Sequence, residues 1–563
     1  MIKNYFKIAL RNLSRNKIYS FINIAGLSLG LACAMLIILY TKDELSYDRF
    51  HANGNDIYRV INTWIEPDGS IIGKGGNTGY FQGPRFTAGI PEIKSFVRLQ
   101  GHSRDIKQGT EIKSQELIFT DSNFFSVFSF PFLSGNPKTA LLQPHSVVIS
   151  EEMAKKQFGT INALNKIILL KDNDKFEPYV VTGIAKKCPQ NSSIKFEMVL
   201  PLQVSAEDEQ NNENWGSFFL NTFVVLGPDA DIKSVEAKMK KVYETDARET
   251  IKTAKEKYDY KATIVHELQP FTAMHLSENY RADNGLTDAS NPMYSYILSG
   301  IALFILLIAC INFINLTVAR SVKRAKEIGI RKVVGGGRKQ LIIQFMGESF
   351  VLCTAAFVFA VVIVQLVLPI FNQLSNKALA LSYLFDVKLI LGYISLFLLT
   401  GLLAGFYPAL VISKYNPVQT LYSRFTIAGK NYLQKSLVVL QFALATLLIV
   451  ATFTIYAQFN YLTTKELGYD DSNTVIIEKW PISRREAKLF KEELMKNPNI
   501  VAVAHKNGGR WGTGAKVNGK TEIKFDYETV DESYLPLYKI PIVKGRNFFT
   551  GFSFRFHLLC FSK

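Results

Sequence analysis

The chain has 563 residues, 48% of them hydrophobic, and a formal net charge of +17; its mean hydropathy is above zero, at +0.09. That length allows several domains, and that composition excludes an ordinary soluble protein. The excess of base does not point to nucleic acid, because its placement follows membrane topology instead.

Lys3, Lys7, Arg11, Arg15 and Lys17 make residues 1–17 a basic leader, expected on the cytoplasmic side. Residues 18–40 follow without a single Asp, Glu, Lys or Arg. Four more such stretches occur, at 293–319, 349–371, 389–413 and 436–462. Each exceeds the roughly 20 residues a helix needs to cross a hydrocarbon core. A buried helix of a soluble core would keep charge on one face, and none of the five does. The first run is too long for a signal-peptide core and lacks a clean cleavage site, so it reads as an uncleaved anchor. Within it, Gly26-Leu27-Ser28-Leu29-Gly30 matches G-x-S-x-G. A nucleophile elbow needs a strand-to-helix turn, so Gly26 and Gly30 read instead as small residues that let helices approach.

Residues 42–292 look like a globular α+β domain. Residues 146–150 are β-branched and strand-like, 151–158 have helical character with a stop at Gly159, and 178–184 read as another strand. Ile232, Val235, Met239 and Val242 give 230–245 the spacing of an amphipathic helix. Cys188 is the one cysteine of this domain, so no disulfide can form within it and its stability must come from its core. In the second apolar stretch Asn312 and Asn315 stand three apart, suited to hydrogen bonding between helices.

The segment 320–348 carries Arg320, Lys323, Arg324, Lys326, Arg331, Lys332, Arg338 and Lys339, and 414–435 carries Lys414, Arg424, Lys430 and Lys435 with no acid. The alternate sides are poorer in base: Lys42 and Arg49 stand among Asp43, Glu44 and Asp48, and only Lys377 and Lys388 lie between the third and fourth stretches. The positive-inside rule then places the N-terminus in the cytoplasm, and 42–292 and everything from 463 onward outside. Within the inner loop, Glu327 and Arg331 are an i,i+4 pair, Ile330, Val333 and Val334 form an apolar patch, and Gly335 to Gly337 end the helix. These residues suit either a helix lying in the headgroup layer or a knob docking into a cytoplasmic partner.

Two correspondences suggest a duplication. Glu44-Leu45-Ser46-Tyr47-Asp48 and Glu466-Leu467-Gly468-Tyr469-Asp470 each follow an apolar stretch, 422 positions apart. Asp121, Pro131 and Gly135 match Asp531, Pro541 and Gly545 at an offset of 410. Residues 463–548 are therefore expected to be a partial second outer domain. Residues 549–563, which include Cys560, have no counterpart in the first copy. A frameshift or premature stop in a longer gene is the expectation, and resequencing the locus tests it. The expected fold class is a multi-pass α-helical membrane protein with five spans, a large α+β extracytoplasmic domain and an incomplete second copy.

The string RAKEIGIRKVVGGGRKQLIIQFMGES, after ACINFINLTVARS, resembles the hallmark of FtsX-like/MacB-like ABC transporter permeases. TDSNFFSVFSFPFLSGNPKTALLQPHSVVISEEMAKKQFG resembles the MacB-like periplasmic core domain, and RNLSRNKIYSFINIAGLSLGLA and AGFYPALVISKYNPVQTL resemble the flanks of the permease helices. The likeness implies that 42–292 is the periplasmic core domain, 293–413 the FtsX-like permease domain and 414–435 a linker, in the inner membrane of a bacterium. It implies that Lys326, Glu327, Ile328, Gly329, Ile330, Arg331 and Lys332 form a coupling helix seated on an ATPase dimer. Duplicated members of the family resemble two four-span halves, whereas this chain shows five apolar stretches.

No G-x-x-x-x-G-K-[ST] occurs, so ATP is expected on a separate partner subunit and this chain is expected to hold no cofactor. No H-E-x-x-H or C-x-x-C suggests a metal, and no catalytic residue is expected. The implied function is a permease subunit that transmits ATP-driven motion to a periplasmic domain, for efflux or for lipoprotein or peptide handling. Its partners would be the ATPase, the lipid bilayer and a periplasmic adaptor or outer-membrane factor. The alternatives are an FtsX-like signalling or scaffold protein and a non-functional fragment.

Overall fold

The structure is a computed structural model. It describes the chain apart from residues 1–10, 12–15, 173–174, 205–214, 259–260, 288, 322–324, 336, 383–385, 414–431, 478–482, 518–520 and 549–563, and apart from some side chains within helices and strands. Most of the basic leader 1–17 and of the linker 414–435, and all of the tail 549–563, therefore lie outside the described residues. The chain divides into two compact units, Met1–Thr446 and Leu447–Lys563.

Among the described residues, five helices are long and apolar enough to cross a membrane. The first, α1, runs Lys17–Leu45, five residues past the charge-free run. Its last turn holds Lys42, Asp43 and Glu44, which a bare hydrocarbon boundary would exclude and which this fold provides with partners.

After α1 the chain builds a sheet from β1 (Ile57–Ile65), β2 (Ile71–Gly75), β3 (Ile93–Gln108), β4 (Glu111–Thr120), β5 (Phe132–Gly135), β6 (Ser146–Ser150), β7 (Ile167–Asp172), β8 (Lys175–Ala185), β9 (Met198–Pro201), β10 (Asn221–Leu226) and β11 (Thr263–Pro270). Among the described residues these form one 11-stranded sheet, ordered β11-β1-β10-β3-β4-β9-β6-β8-β5, with β2 on β1 and β7 joining β3 to β8. The β4–β9 and β6–β8 pairings are parallel and the others antiparallel. Helices α2 (Gln82–Gly89), α3 (Phe124–Val127), α4 (Glu151–Phe158), α5 (Ile232–Asp246) and α6 (Arg248–Tyr258) punctuate it.

Local chemistry explains the helices that the sequence anticipates. The Ser150 hydroxyl accepts from Met153 N at 3.0 Å and starts α4, while Gly159, at φ +69°, ends it in the left-handed region. Asp231 caps α5 in the same way, accepting from Ser234 N at 2.9 Å, and the helix buries Val235, Met239 and Tyr243. The centre of the domain is aromatic: Phe124, Phe128, Phe130, Phe196, Phe223 and Phe271 are all buried in one cluster.

After the sheet come α7 (Pro292–Ser321), α8 (Ala325–Val333), α9 (Arg338–Ser375), α10 (Val387–Ser413) and α11 (Tyr432–Thr464). The basic segment 320–348 is thus largely helical, being α8 plus the first turns of α9. Helix α1 packs against α7 and α9, and α9 against α10. Leu27, Leu31, Met35 and Leu39 of α1 meet Leu306, Cys310 and Phe313 of α7 and Ala356, Ala360 and Val364 of α9 in one apolar core.

The second unit contains α12 (Arg484–Leu494), the antiparallel pair β12 (Lys506–Val517) and β13 (Thr521–Val530), and α13 (Tyr534–Leu537). Both bounds of β13 and of α13 fall 410 positions after those of β4 and α3. Gly135 and Gly545, also 410 apart, sit at φ +93° and +102°.

Replacing Phe128 by Ala in the aromatic cluster is expected to lower stability by about 3–5 kcal/mol. Leu142→Ala, at an exposed position, should fall within about 0.5 kcal/mol. Thermal unfolding of the solubilised chain compares the two, and equal effects would displace the aromatic cluster as the domain's core.

Candidate functional site

Two places combine charge, burial and contacts between distant segments. The first is α8. Its apolar inner side is anchored by Ile328, only 2% exposed, in a cluster with Leu341 and Phe345 of α9 and Ala409 of α10. Arg331 Nη1 donates to Gln344 Oε1 at 2.5 Å, and Lys332 Nζ to the Ser413 carbonyl at 2.7 Å. Two bases of α8 are therefore engaged by α9 and α10. Gly329 is buried as well. The opposite side carries Ile330, Val333 and Val334, at 54%, 65% and 82% exposure. Gly335, at φ +99°, turns the chain out of the helix, a conformation that suits glycine. An open groove of about 470 Å³ runs beside it, lined by Ile330, Arg331, Val334, Gly335, Gln340, Leu341 and Gln344. Lys326 and Glu327 lie on α8, but their side chains are outside the described residues.

The helix-packing residues fall on the α1–α7 contact. A Cβ on Gly30 would stand 3.0 Å from Ala309 Cβ, and one on Gly26 3.8 Å from Asn312 Nδ2. Asn315 is on the same helix, α7, with its Oδ1 buried. Ser28, the centre of the G-x-S-x-G match, donates to Ile24 O one turn back inside α1, which is no setting for a nucleophile.

The second place was not visible as a site in the sequence, although its residues were noted as a repeat and as loop charges. At the end of α1, Asp43 and Glu44 are 0% and 2% exposed. The Lys377 ammonium, just beyond α9, stands 2.6 Å from Glu44 Oε1 and 3.1 Å from Asp43 Oδ2, and donates to the Tyr47 hydroxyl at 3.0 Å. Burial alone would lower the Lys377 pKa; Glu44, Asp43 and Tyr47 reverse this and hold it above the usual lysine value. The Tyr47 ring stacks on His275 at 3.4 Å between centroids, and His275 Nε2 faces Glu44 Oε1 at 3.4 Å. Ser290 Oγ donates to the other Glu44 oxygen at 2.6 Å. Residues 43–47, 275, 290 and 377 thus meet on one carboxylate and one ammonium.

A loop of the outer domain binds the neighbouring backbone. Asn191 Nδ2 donates to Ser46 O at 3.0 Å, Asp48 N to Asn191 O at 2.8 Å, and Ser193 N to Asp48 Oδ1 at 2.8 Å. The same loop accepts from Thr287 N, through Ser193 O at 2.9 Å, just ahead of α7. Arg59, fully buried, holds the segment before α7 at Arg281, donating to Arg281 O as well as to Gly76 O and Asn221 Oδ1. Burial lowers its pKa to about 10. Gly76 must be glycine here, since a Cβ would collide with the guanidinium. Among the described residues no group of His, Cys, Asp and Glu has the arrangement of a metal site.

Residues 20–242 match the MacB-like periplasmic core domain, and residues 299–417 the FtsX-like permease C-terminal domain. The ABC transporter permease YvrN of Bacillus subtilis is 22% identical over 443 residues, covering 74% of this chain and 98% of that protein. The macrolide export ATP-binding/permease protein MacB of Campylobacter jejuni is 29% identical over 121 residues, 22% of this chain and 18% of that protein. The pyoverdine export ATP-binding/permease protein PvdT of Pseudomonas syringae is 22% identical over 340 residues, 59% and 47% respectively. The chain thus spans nearly all of YvrN but less than half of these MacB and PvdT relatives. Among solved structures, a permease-protein domain from Porphyromonas gingivalis aligns with TM-score 0.34 and 18% identity, over 39% of this chain and 91% of that one. The periplasmic region of MacB from Actinobacillus actinomycetemcomitans aligns with TM-score 0.25 and 14% identity, over 38% and 88%.

The joint at Asp48 should respond to pH. Burial pushes its carboxyl up to about 6, against Ser193, His275 and Lys195, which favour the charged form. Unfolded, the group titrates near 3.9. The folded chain therefore holds this proton more tightly, so Asp48 contributes stability below about pH 4 and loses it as the pH rises through 6. Asp48→Asn is expected to be more stable than wild type at pH 7.5, by at most about 3 kcal/mol, with the gap about half as large at pH 5 and closed below about pH 4. Melting curves across that range would refute this if the gap did not change with pH.

Proposed function

This chain belongs to the FtsX-like/MacB-like ABC transporter permeases, and from that premise we propose that it is the permease subunit of a transporter driven by a separate cytoplasmic ATPase dimer. The five apolar helices sit in the bacterial inner membrane with the N-terminus and α8 in the cytoplasm. The ATPase docks on α8, and its ATP-driven motion reaches the outer sheet by mechanotransmission through the helices. ATP binds the partner, and this chain performs no chemistry of its own. The substrate is handled at the outer domain, in efflux or in lipoprotein or peptide handling, with a periplasmic adaptor or outer-membrane factor as a further partner. We read the β12–β13–α13 stretch as the counterpart of β3–β4–α3 in a second copy of that domain, on the strength of the coincident bounds of β13 with β4 and of α13 with α3.

The observation that carries this reading is the two-sidedness of α8. A helix resting in the headgroup layer would extend its bases to lipid phosphates. Here Arg331 and Lys332 are turned inward to Gln344 and Ser413, and the exposed side is apolar. A plate bolted to two long helices and greasy on its free face suits a protein groove and can pass force to both helices.

Ile330→Asp with Val333→Asp is expected to cut ATPase co-purification from membranes at least tenfold while leaving the chain's expression and melting unchanged. Undiminished capture would refute docking on α8. Orientation is tested in a cysteine-free background with single cysteines at Lys113 and Val334. A membrane-impermeant maleimide on cells with a permeabilised outer membrane should label position 113 and spare 334, and the reverse pattern would invert the topology.

A further inference from the structure

We propose that Lys377 is the positioning residue that fastens the α9–α10 hairpin to the root of the outer domain, taking the permease reading above as its premise. Motion entering at α8 passes along α9 and α10, and the hairpin joining these two must grip something to move the sheet. Its grip is built in advance. Helix α9 ends with Asn376 at φ +51°. The Asn372 amide then clasps Leu379 from both sides, donating to its carbonyl at 2.8 Å and accepting from its N–H at 3.0 Å. Lys377 lies inside that clasp, so its backbone is held before its side chain reaches across.

What it reaches is the node where the outer domain meets both α1 and α7. Glu44 is the last turn of α1, His275 lies just past the last strand of the sheet, and Ser290 leads into α7. Ser290 N also donates to His275 O at 2.7 Å. The hairpin has a second ion pair here, Lys42 with Asp386 at 2.6 Å, but Asp386 is half exposed, and such pairs hold little in water. Lys377 is different because Asp43 and Glu44 are almost wholly buried. Without the ammonium two adjacent carboxylates would lose their principal counter-charge and repel each other, and burial would magnify the effect. The joint would open, and the sheet would lose its link to the hairpin while both parts stayed folded.

The test is hydrogen exchange on the full chain in lipid nanodiscs, without nucleotide. Lys377→Met is expected to speed exchange at least tenfold at the Asp48, Thr287 and Ser290 amides, with β6 and α8 unchanged. Adding Asp43→Asn and Glu44→Gln to Lys377→Met removes the stranded charge and should restore protection to within threefold of wild type. Wild-type protection in the single variant overturns the proposal. So does failure of the neutral triple variant to recover, since lost packing would then explain the change. If Lys377→Met does not assemble, Glu44→Gln alone keeps Asp43 as counter-ion and should give an intermediate acceleration; no change there also overturns it. Exchange requires no ATPase, so a failed pull-down on α8 and a failed latch are separate results.

Discussion

Two adjacent carboxylates at the end of a long apolar helix cannot be buried unless a cation comes to them, and most of the tertiary arrangement of the first unit follows from how that requirement is met. Asp43 and Glu44 sit where α1 leaves the apolar bundle, and the cation arrives from residue 377. An ammonium suits this place better than a guanidinium would. It is a compact point charge that three oxygens can surround from different directions, whereas a planar fork would favour one bidentate partner. Because the cluster draws α1, the Tyr47 segment, His275, Ser290 and the α9–α10 hairpin onto one point, the sheet domain is tied to the bundle by charge there.

The rest of the path between the two ends is stiff. Helix α1 has 29 residues, about 44 Å at 1.5 Å per residue, and continues without a break into the cluster. Immediately beyond it Asp48 takes φ +58°, a left-handed turn rare outside glycine and asparagine or aspartate. The outer loop from Asn191 to Ile194 holds that turn and, through Thr287, the approach to α7. One loop thus holds both roots of the domain, whose sheet packs on its own aromatic core. At the far end α8 is fixed to α9 and α10 by Ile328, Arg331 and Lys332. Gly30 against Ala309 brings α1 and α7 into close contact.

The sequence made legible what depends on neighbours along the chain. The five apolar helices were readable because charge is absent from runs of more than 20 residues, and α4 was readable down to its stop because Gly159 is a local signal. The hairpin of β3 and β4 was not, since its distal half is polar on both faces and shows no alternation. The charged node was invisible for a different reason. Lys377 is 333 positions from Glu44, and as a lone lysine in a short connection it carries no pattern that distinguishes a counter-ion from a solvated loop charge. Asp43 and Glu44 were noted as acids on the base-poor side, and Glu44 also as part of the repeat. Their adjacency at the end of an apolar run was the one available hint, because buried acids need a partner somewhere. At α8 the exposed patch of Ile330, Val333 and Val334 was readable, while the inward turn of Arg331 and Lys332 was not.

The correspondence between the two units sharpens what the cluster is for. The scaffold recurs closely: β13 and α13 keep the spacing of β4 and α3, and Asp531 O accepts from Tyr534 N at 3.2 Å as Asp121 O does from Phe124 N at 3.1 Å. The charges do not recur. Asp470, which matches Asp48 in sequence, pairs with Lys539 at 2.6 Å on the surface, where its carboxyl is held down to about 2 by that lysine and by Ser472. Asp48 lies buried, with its carboxyl raised. An exposed pair of this kind contributes less than about 1 kcal/mol, whereas breaking a buried one costs about 3–5 kcal/mol. In the second unit the spacing of β13 and α13 is kept with only a surface pair at Asp470. The first unit instead concentrates two buried acids around one lysine, and under the permease reading proposed above that cluster stands where force would pass between the helices and the sheet.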